Sequence, residues 1–138
     1  MSKSNAFETD LLNKLFLGTE FPWHSGTNTL YVGLATGDPG EGGNQSTNEA
    51  SYTGYARVGM ARTSGAWTVA AGSVVNAITA LFLPCTAGSN TVTHFTVGTS
   101  PSGASPLLYS GALNASLAIS AGITPQFDAA TGISISEE

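Results

Sequence analysis

The chain has 138 residues, a length typical of one domain built around a single hydrophobic core. Only 9% of its residues are Asp, Glu, Lys or Arg, whereas an average domain has about 25%. This composition excludes a coiled coil and a charged disordered segment. The net charge of −5 excludes a basic surface that binds nucleic acid.

Cysteine usage and the N-terminal residues indicate synthesis in a reducing compartment. Cys85 is the single cysteine, so an intrachain disulfide cannot form. The residues MSKSNAFETDLLNKLFLG are interrupted by charged and amide side chains, so they do not form the apolar region of a signal peptide. No apolar run approaches the roughly 20 residues of a membrane helix. We therefore expect neither a membrane nor nucleic acid as a partner.

The first element expected along the chain is an amphipathic helix. Asn5 is the expected N-cap, with Glu8 completing a capping box, and Gly18 is the expected end. Lys14 is expected to pair with Asp10, four residues earlier. Helical spacing places five apolar residues on one broad face: Phe7, Leu11, Leu12, Leu15 and Phe16.

After Gly18, the pattern changes to short strands separated by turns. Alternating apolar residues predict a strand over residues 30–34, which a glycine-rich loop follows over residues 36–50. Roughly eight short strands at this spacing are typical of a sandwich or small barrel. We expect an all-β protein, an antiparallel jelly-roll-type β-sandwich over residues 29–138, preceded by an N-terminal helical arm and linker over residues 1–28. The further strands are expected over residues 55–63, 67–69, 74–75, 78–83, 91–99, 107–113, 115–120 and 132–136. A turn at residues 64–65 is expected to return the chain along the strand before it, and another turn is expected at residues 71–72.

None of the sequence motifs indicates catalysis. The glycine-rich loop lacks the phosphate-binding pattern, and its acids Asp38 and Glu41 lack the spacing of a calcium loop. The pair His24 and His94, with Cys85, makes no recognisable zinc-binding pattern. No serine lies in a nucleophile-elbow motif. We expect no enzymatic activity, no cofactor and no metal.

The distribution of charge along the chain is consistent with two interpretations of the surface. Between residues 50 and 127 the chain has no carboxylate and no lysine. Such a surface fits either a neutral, hydroxyl-rich exterior or an exterior that other subunits cover. On the second interpretation we expect a homo-oligomer, with a dimer favoured, formed through sheet faces or through the helix.

Arg57 and Arg62 are five residues apart, so in a regular strand they face opposite sides of the sheet. One of them then points to a covered face, where its charge requires a partner. That partner would be an acid of the 38–49 loop, an acid near the C-terminus or a neighbouring chain. The alternative is that a bulge or a chain end leaves both arginines in solvent. Tyr52 and Tyr55 fit a core or an interface equally well.

Four ordered blocks of the sequence resemble a group of small virion proteins of tailed bacteriophages. They are SKSNAFETDLLN, LYVGLATGDPGEGGNQSTNEASYTGYARVGMART, TVTHFTVGTS and LLYSGALNASLAISAGITPQF. Members of the group are labelled tail-fibre-like, and the group also includes jelly-roll capsid cement or decoration proteins. The resemblance implies a structural protein that binds the outside of the major capsid protein shell and stabilises it. The alternative is a tail-fibre or receptor-binding subunit.

The resemblance offers no catalytic residues, and residues 19–28 (TEFPWHSGTN) lie outside it. The apolar face of the helix either caps an open end of the sandwich or lies on the capsid protein or a sister subunit. We select ten candidate interaction residues: Phe7, Leu11, Leu15, Phe16, Asp38, Glu41, Tyr52, Tyr55, Arg57 and Arg62.

Overall fold

A computed structural model describes residues 2–23 and 28–137. Within them, one helix and ten strands follow one another along the chain. The elements are β1 (Ser2–Lys3), α1 (Asn5–Leu17), β2 (Thr29–Ala35), β3 (Val58–Ala61), β4 (Trp67–Ala70), β5 (Ser73–Asn76), β6 (Ala80–Leu81), β7 (Asn90–Gly98), β8 (Leu107–Ile119), β9 (Gln126–Phe127) and β10 (Ser134–Ser136).

The described strands form three antiparallel sheets. The largest has five strands in the order β1-β8-β7-β2-β3, and the others have the orders β10-β5-β4 and β6-β9. The expected antiparallel all-β fold with one helix is therefore confirmed, while the jelly-roll type of connection stays a prediction. The first two described residues join the large sheet through β1, so part of the predicted arm is a strand.

One hydrophobic core joins the three sheets. Alternation along β2 and β7 turns Val32, Leu34 and Val97 inward, where water does not reach them. Phe82, just after β6, is 2% exposed, and its ring lies 5.9 Å from that of Phe127 on β9. The core thus holds the smaller sheets against the large one.

The helix begins one residue earlier than the capping prediction requires. Ser4, not Asn5, is the N-cap, because its hydroxyl accepts a hydrogen bond from the Phe7 N–H at 3.2 Å. The same hydroxyl is buried and donates to the carbonyl of Leu107 on β8, so the cap also fastens the helix to the sheet. Gly18 ends the helix in the left-handed conformation (φ 68°), as predicted.

Three details of the strands differ from the sequence-based expectations. The strand expected over residues 55–63 is shortened to β3, and β4 pairs with β5 in another sheet rather than returning along β3. The two strands expected over residues 107–120 are one strand, β8. A bulge separates its pairs Val92–Leu117 and His94–Ala112, so the polar residues around Asn114 leave the ladder without ending the strand.

Other features follow the expectations. Ala71 and Gly72 both have positive φ, 51° and 77°, and form the tight turn expected between β4 and β5. Cys85 is a free, buried thiol. The helix found in the described part of the chain is too short to cross a membrane.

Candidate functional site

Arg57 lies at the centre of a buried polar cluster beneath the 36–50 loop. Its guanidinium binds Glu49 through two hydrogen bonds, from Nε to Oε1 at 2.6 Å and from Nη2 to Oε2 at 2.8 Å. The side chain of Arg57 is only 1% exposed and that of Glu49 20%. The sequence left open whether the partner of a covered arginine is an acid of the 38–49 loop, an acid near the C-terminus or a neighbouring chain. In the structure the covered arginine is Arg57, and its partner is Glu49 of that loop.

The remaining donors of Arg57 hold a second loop. Nη1 donates to the carbonyl of Ser100 at 3.0 Å and to the hydroxyl of Ser105 at 3.1 Å, and Nη2 donates to the carbonyl of Gly103 at 2.8 Å. A planar guanidinium presents five N–H donors, and here they point in several directions at once. Arg57 thereby joins the 36–50 loop to the turn between β7 and β8.

Gln45 extends the cluster towards the large sheet. Its Nε2 donates to the carbonyl of Tyr31 on β2 at 2.6 Å, and its Oε1 accepts from the Ser105 hydroxyl at 3.1 Å. The glutamine side chain is 1% exposed, so these bonds replace water that it has lost. The long glycine-rich loop is consequently held to the fold at its middle.

The two candidate tyrosines belong to the same interior. The Tyr55 hydroxyl accepts from the Leu34 N–H at 3.1 Å and donates to Glu49 Oε1 at 3.0 Å. Burial raises the pKa of Tyr55, and the Glu49 carboxylate raises it further. Tyr52 is buried, donates to the carbonyl of Leu83 at 3.0 Å, and has a pKa raised mainly by burial. Both rings therefore support the fold from inside.

A row of rings fastens the first half of α1. The Phe7 ring lies edge-on to Tyr109 of β8 at 5.5 Å and 6.0 Å from Phe21. Phe21 stacks on Trp23 at 5.0 Å, and the guanidinium of Arg62 lies over the Trp23 ring at 5.2 Å. The segment outside the resemblance thus returns along the helix and continues the row, although residues 24–27, including His24, lie outside the described residues.

The second half of α1 has no such cover. Leu15 and Phe16 are 68% and 78% exposed, and Leu12 and Leu17 are exposed as well. Lys14 pairs with Glu20 rather than with Asp10 as predicted, because the chain reverses after Gly18 and brings Glu20 back to the helix. An exposed apolar helix end of this kind is a candidate contact surface.

An apolar groove of about 660 Å³ opens between the large sheet and the three-stranded sheet. The large sheet contributes residues such as Val97 and Tyr109, and the smaller sheet contributes Trp67, Val69 and Ile135. Apolar residues dominate its walls, with Arg62 and Glu137 among the few charged ones. None of the residues described for α1 lines this groove, which we call the sheet groove.

Glu137 is one of the charged residues that line the sheet groove. Its carboxylate binds the Lys3 ammonium at 2.6 Å and accepts a hydrogen bond from the Tyr109 hydroxyl. Hydrogen bonds from Lys3 and Tyr109 lower the pKa of Glu137 from its ordinary 4.5. Burial is the main cause that raises the pKa of Tyr109, and the hydrogen bond to the Glu137 carboxylate raises it further. This contact ties the C-terminal residues to β1 and β8.

A carboxyl whose pKa is lower in the folded state adds stability above its unfolded-state pKa, and that stability is lost as the pH falls through the folded-state pKa. We therefore expect Glu137→Gln to cost less than about 1 kcal/mol at about pH 7, since the carboxylate is partly exposed. The difference from the parent should be smaller at about pH 3, which is closer to the folded-state pKa of the carboxyl. Urea unfolding at both pH values measures it, and an equal difference at both would contradict the expectation.

The ten candidate residues fall into an inner and an outer set. Tyr52, Tyr55 and Arg57 point inward and make their contacts within the chain, whereas Phe7 and Leu11 are half-buried. The outer set is exposed: Leu15, Phe16, Asp38, Glu41 and Arg62. Whether these residues contact a partner stays a prediction.

Some residues that organise the site were not selected from the sequence. Gln45 carries no sequence signal, since it is one amide among the polar residues of a loop. Asn76 is fully buried and donates to the carbonyls of Ile78, Phe127 and Asp128, and its Oδ1 accepts from the Ile133 N–H at 3.0 Å. An asparagine at the end of a short strand would ordinarily be assigned to a turn.

Metal-ligating residues do not converge in the described ranges, 2–23 and 28–137, where no group of three His, Cys, Asp or Glu lies together. His94 is half-buried on β7, and its Nδ1 lies 2.8 Å from the hydroxyl of Thr93. The polar chemistry that the described residues do show consists of hydrogen bonds that fasten loops and chain ends.

These features define a class: a small structural β domain, with a polar interior that holds long loops and with an apolar groove and helix end on its surface. Residues 2–134 match the family of Gp80, described as the podophage GP4 fiber I protein gp80. The chain belongs to this family and is a structural virion protein of a tailed bacteriophage, which confirms the resemblance found in the sequence. No curated protein matches the chain.

Proposed function

We propose that this chain is a subunit of a tail fibre of a podophage virion. The observation that carries the proposal is the family match over nearly the whole chain, because the family is described as a fiber protein. The resemblance in the sequence placed a capsid cement protein first and a fibre subunit second. The family description favours the second.

The architecture supports a structural role of this kind. Buried hydrogen bonds from Arg57, Gln45 and Asn76 hold particular loops to the fold, which opposes independent motion of those loops. A stiff domain transmits force between its neighbours in an assembly. Because few residues of the chain are charged, removing water from its surface on contact with other subunits costs little free energy.

The location of the protein in the virion tests the proposal. We expect immunogold electron microscopy of purified virions, with an antibody against this chain, to label the tail and its fibres. An antibody against the major capsid protein, applied to the same virions, is the control for accessibility of the capsid. Quantitative staining should give far fewer copies of this chain than of the major capsid protein. Label spread over the capsid, with hundreds of copies per virion, would contradict the fibre proposal and support a cement protein.

A further inference from the structure

Two apolar surfaces of this chain are left without partners in the described structure. The first is the outer side of the second half of α1, where Leu12, Leu15 and Phe16 follow the i, i+3, i+4 spacing of one helix face. Leu17 extends it towards the end of the helix. We call these four residues the helix tip. The second surface is the sheet groove.

The helix tip does not cover the sheet groove of its own chain. Leu15 and Phe16 remain 68% and 78% exposed, and no described residue of α1 lines the groove. The first turn of the helix is fixed to β8 by Ser4 and Phe7, so the helix cannot move as a whole without breaking those contacts. The two surfaces can therefore meet only between different copies.

The sizes of the two surfaces agree. An apolar cavity of about 150 Å³ holds one benzene molecule. At about 660 Å³, the sheet groove has room for roughly four groups of that size. The helix tip offers three such groups on one face, Leu12, Leu15 and Phe16, and Leu17 adds a fourth at the end of the helix.

The charges around the two surfaces do not oppose the contact. Beside the helix tip, Lys14 and Glu20 neutralise each other in an ion pair. Among the residues that line the groove, Glu137 is paired with Lys3, and Arg62 lies over the Trp23 ring. Docking would therefore bury mainly apolar side chains, which is the arrangement that recognition of a helix in a groove requires.

We propose that the helix tip of one copy occupies the sheet groove of a neighbouring copy. The contact joins two different surfaces, so it closes as a pair when two copies exchange helices and as a ring when each copy serves the next. It goes beyond the proposed function, because it would operate in any part of the virion.

Two charge substitutions at exposed sites test the proposal in the full-length chain. Leu15→Glu alters the helix tip and leaves the groove intact, and Val69→Asp alters the groove wall and leaves the helix intact. Val69 is 76% exposed, so neither change buries a charge in the isolated fold. We expect the parent to self-associate in sedimentation velocity at tens of micromolar, and each variant to associate at least about tenfold more weakly.

Mixing the two variants gives the sharper result. Each variant retains the surface that the other lacks, so an equimolar mixture should form pairs of one chain of each kind and stop there. Thr9→Glu and Thr68→Asp are the matched controls, since both residues are exposed, Thr9 precedes the helix tip, and Thr68 does not line the groove. Thermal melting of each variant confirms that it is folded.

Three results would overturn the proposal: a parent chain that sediments only as a monomer, a variant that associates as the parent does, or a mixture that stays monomeric. Loss of association in the control variants would do the same, because it would show that any added acid disrupts the contact. The location of the protein in the virion does not enter these measurements, so this proposal and the fibre proposal fail separately.

Discussion

Replacing Arg57 by methionine is expected to lower the free energy of unfolding by about 3–5 kcal/mol, the cost of removing one partner of a buried ion pair. Methionine keeps much of the side-chain volume but none of the donors. Glu49 is left with its charge largely covered, and the carbonyls of Ser100 and Gly103 lose their hydrogen bonds. For a domain of this size, the melting temperature should fall by roughly 10–20 °C.

Arg62 supplies the matched control, because it is the same residue type five positions later and lies on the surface. Arg62→Met is expected to cost no more than about 1 kcal/mol, because contacts made by an exposed charged side chain, including the one with the Trp23 ring, are weak. Thermal and urea unfolding followed by circular dichroism measures both variants. Equal losses of unfolding free energy in the two variants would show that the buried contacts of Arg57 stabilise the fold no more than the exposed contacts of Arg62 do.

A double variant separates the charge from the shape. Arg57→Met combined with Glu49→Gln leaves no charge in the cluster, while the amide can still accept the hydrogen bond from the Tyr55 hydroxyl. We expect the double variant to be more stable than Arg57→Met alone, because an uncompensated charge costs more to bury than a neutral amide. A double variant with additive losses would refute this explanation.

A structural feature can be predicted from the sequence when neighbouring residues determine it, and it cannot when contacts with residues distant in the sequence determine it. The alternation at Val32 and Leu34 and the stop at Gly18 are local, and the structure has both the strand and the helix end there. The cap was misassigned by one residue because Ser4 and Asn5 are both good caps locally. The choice between them follows from the carbonyl of Leu107, which is distant in sequence.

The pairing of strands is determined at longer range. A turn at residues 64–65 suggested that β4 returns along β3, yet β4 joins β5 and β10 in another sheet. Likewise, Asn114 has the composition of a turn, but the flanking residues continue one strand around a bulge. Pairing with other strands overrides local turn preference in both places.

The candidate site shows the same division. The odd spacing of Arg57 and Arg62 indicated opposite environments, but not which arginine is buried. That choice follows from contacts with Glu49 and the turn between β7 and β8. The sheet groove has no sequence signal at all, since residues of two sheets and of several separate segments form its walls.

Gly98→Ala is the second substitution with a large expected effect, because the cluster around Gln45 requires a glycine there. A Cβ atom at position 98 would lie 2.0 Å from Oε1 of Gln45 and 2.9 Å from the carbonyl oxygen of Pro106. Gln45 cannot turn aside without giving up its bonds to Tyr31 and Ser105, and it is almost wholly buried. We expect a loss of about 2–4 kcal/mol from overpacking and unsatisfied polar groups.

Gly42→Ala is the control in the same loop system, since no atom lies within 4 Å of a Cβ built at that glycine. It should change the free energy of unfolding by less than about 0.5 kcal/mol. Gly98→Ala combined with Gln45→Ala should lose less than the sum of the two single losses, because the shorter side chain removes the 2.0 Å clash and leaves only the 2.9 Å approach to the carbonyl oxygen of Pro106. Urea unfolding of the four variants decides the matter. If the two losses simply add, the space that Gly98 leaves for Gln45 is not what holds the 36–50 loop against the sheet.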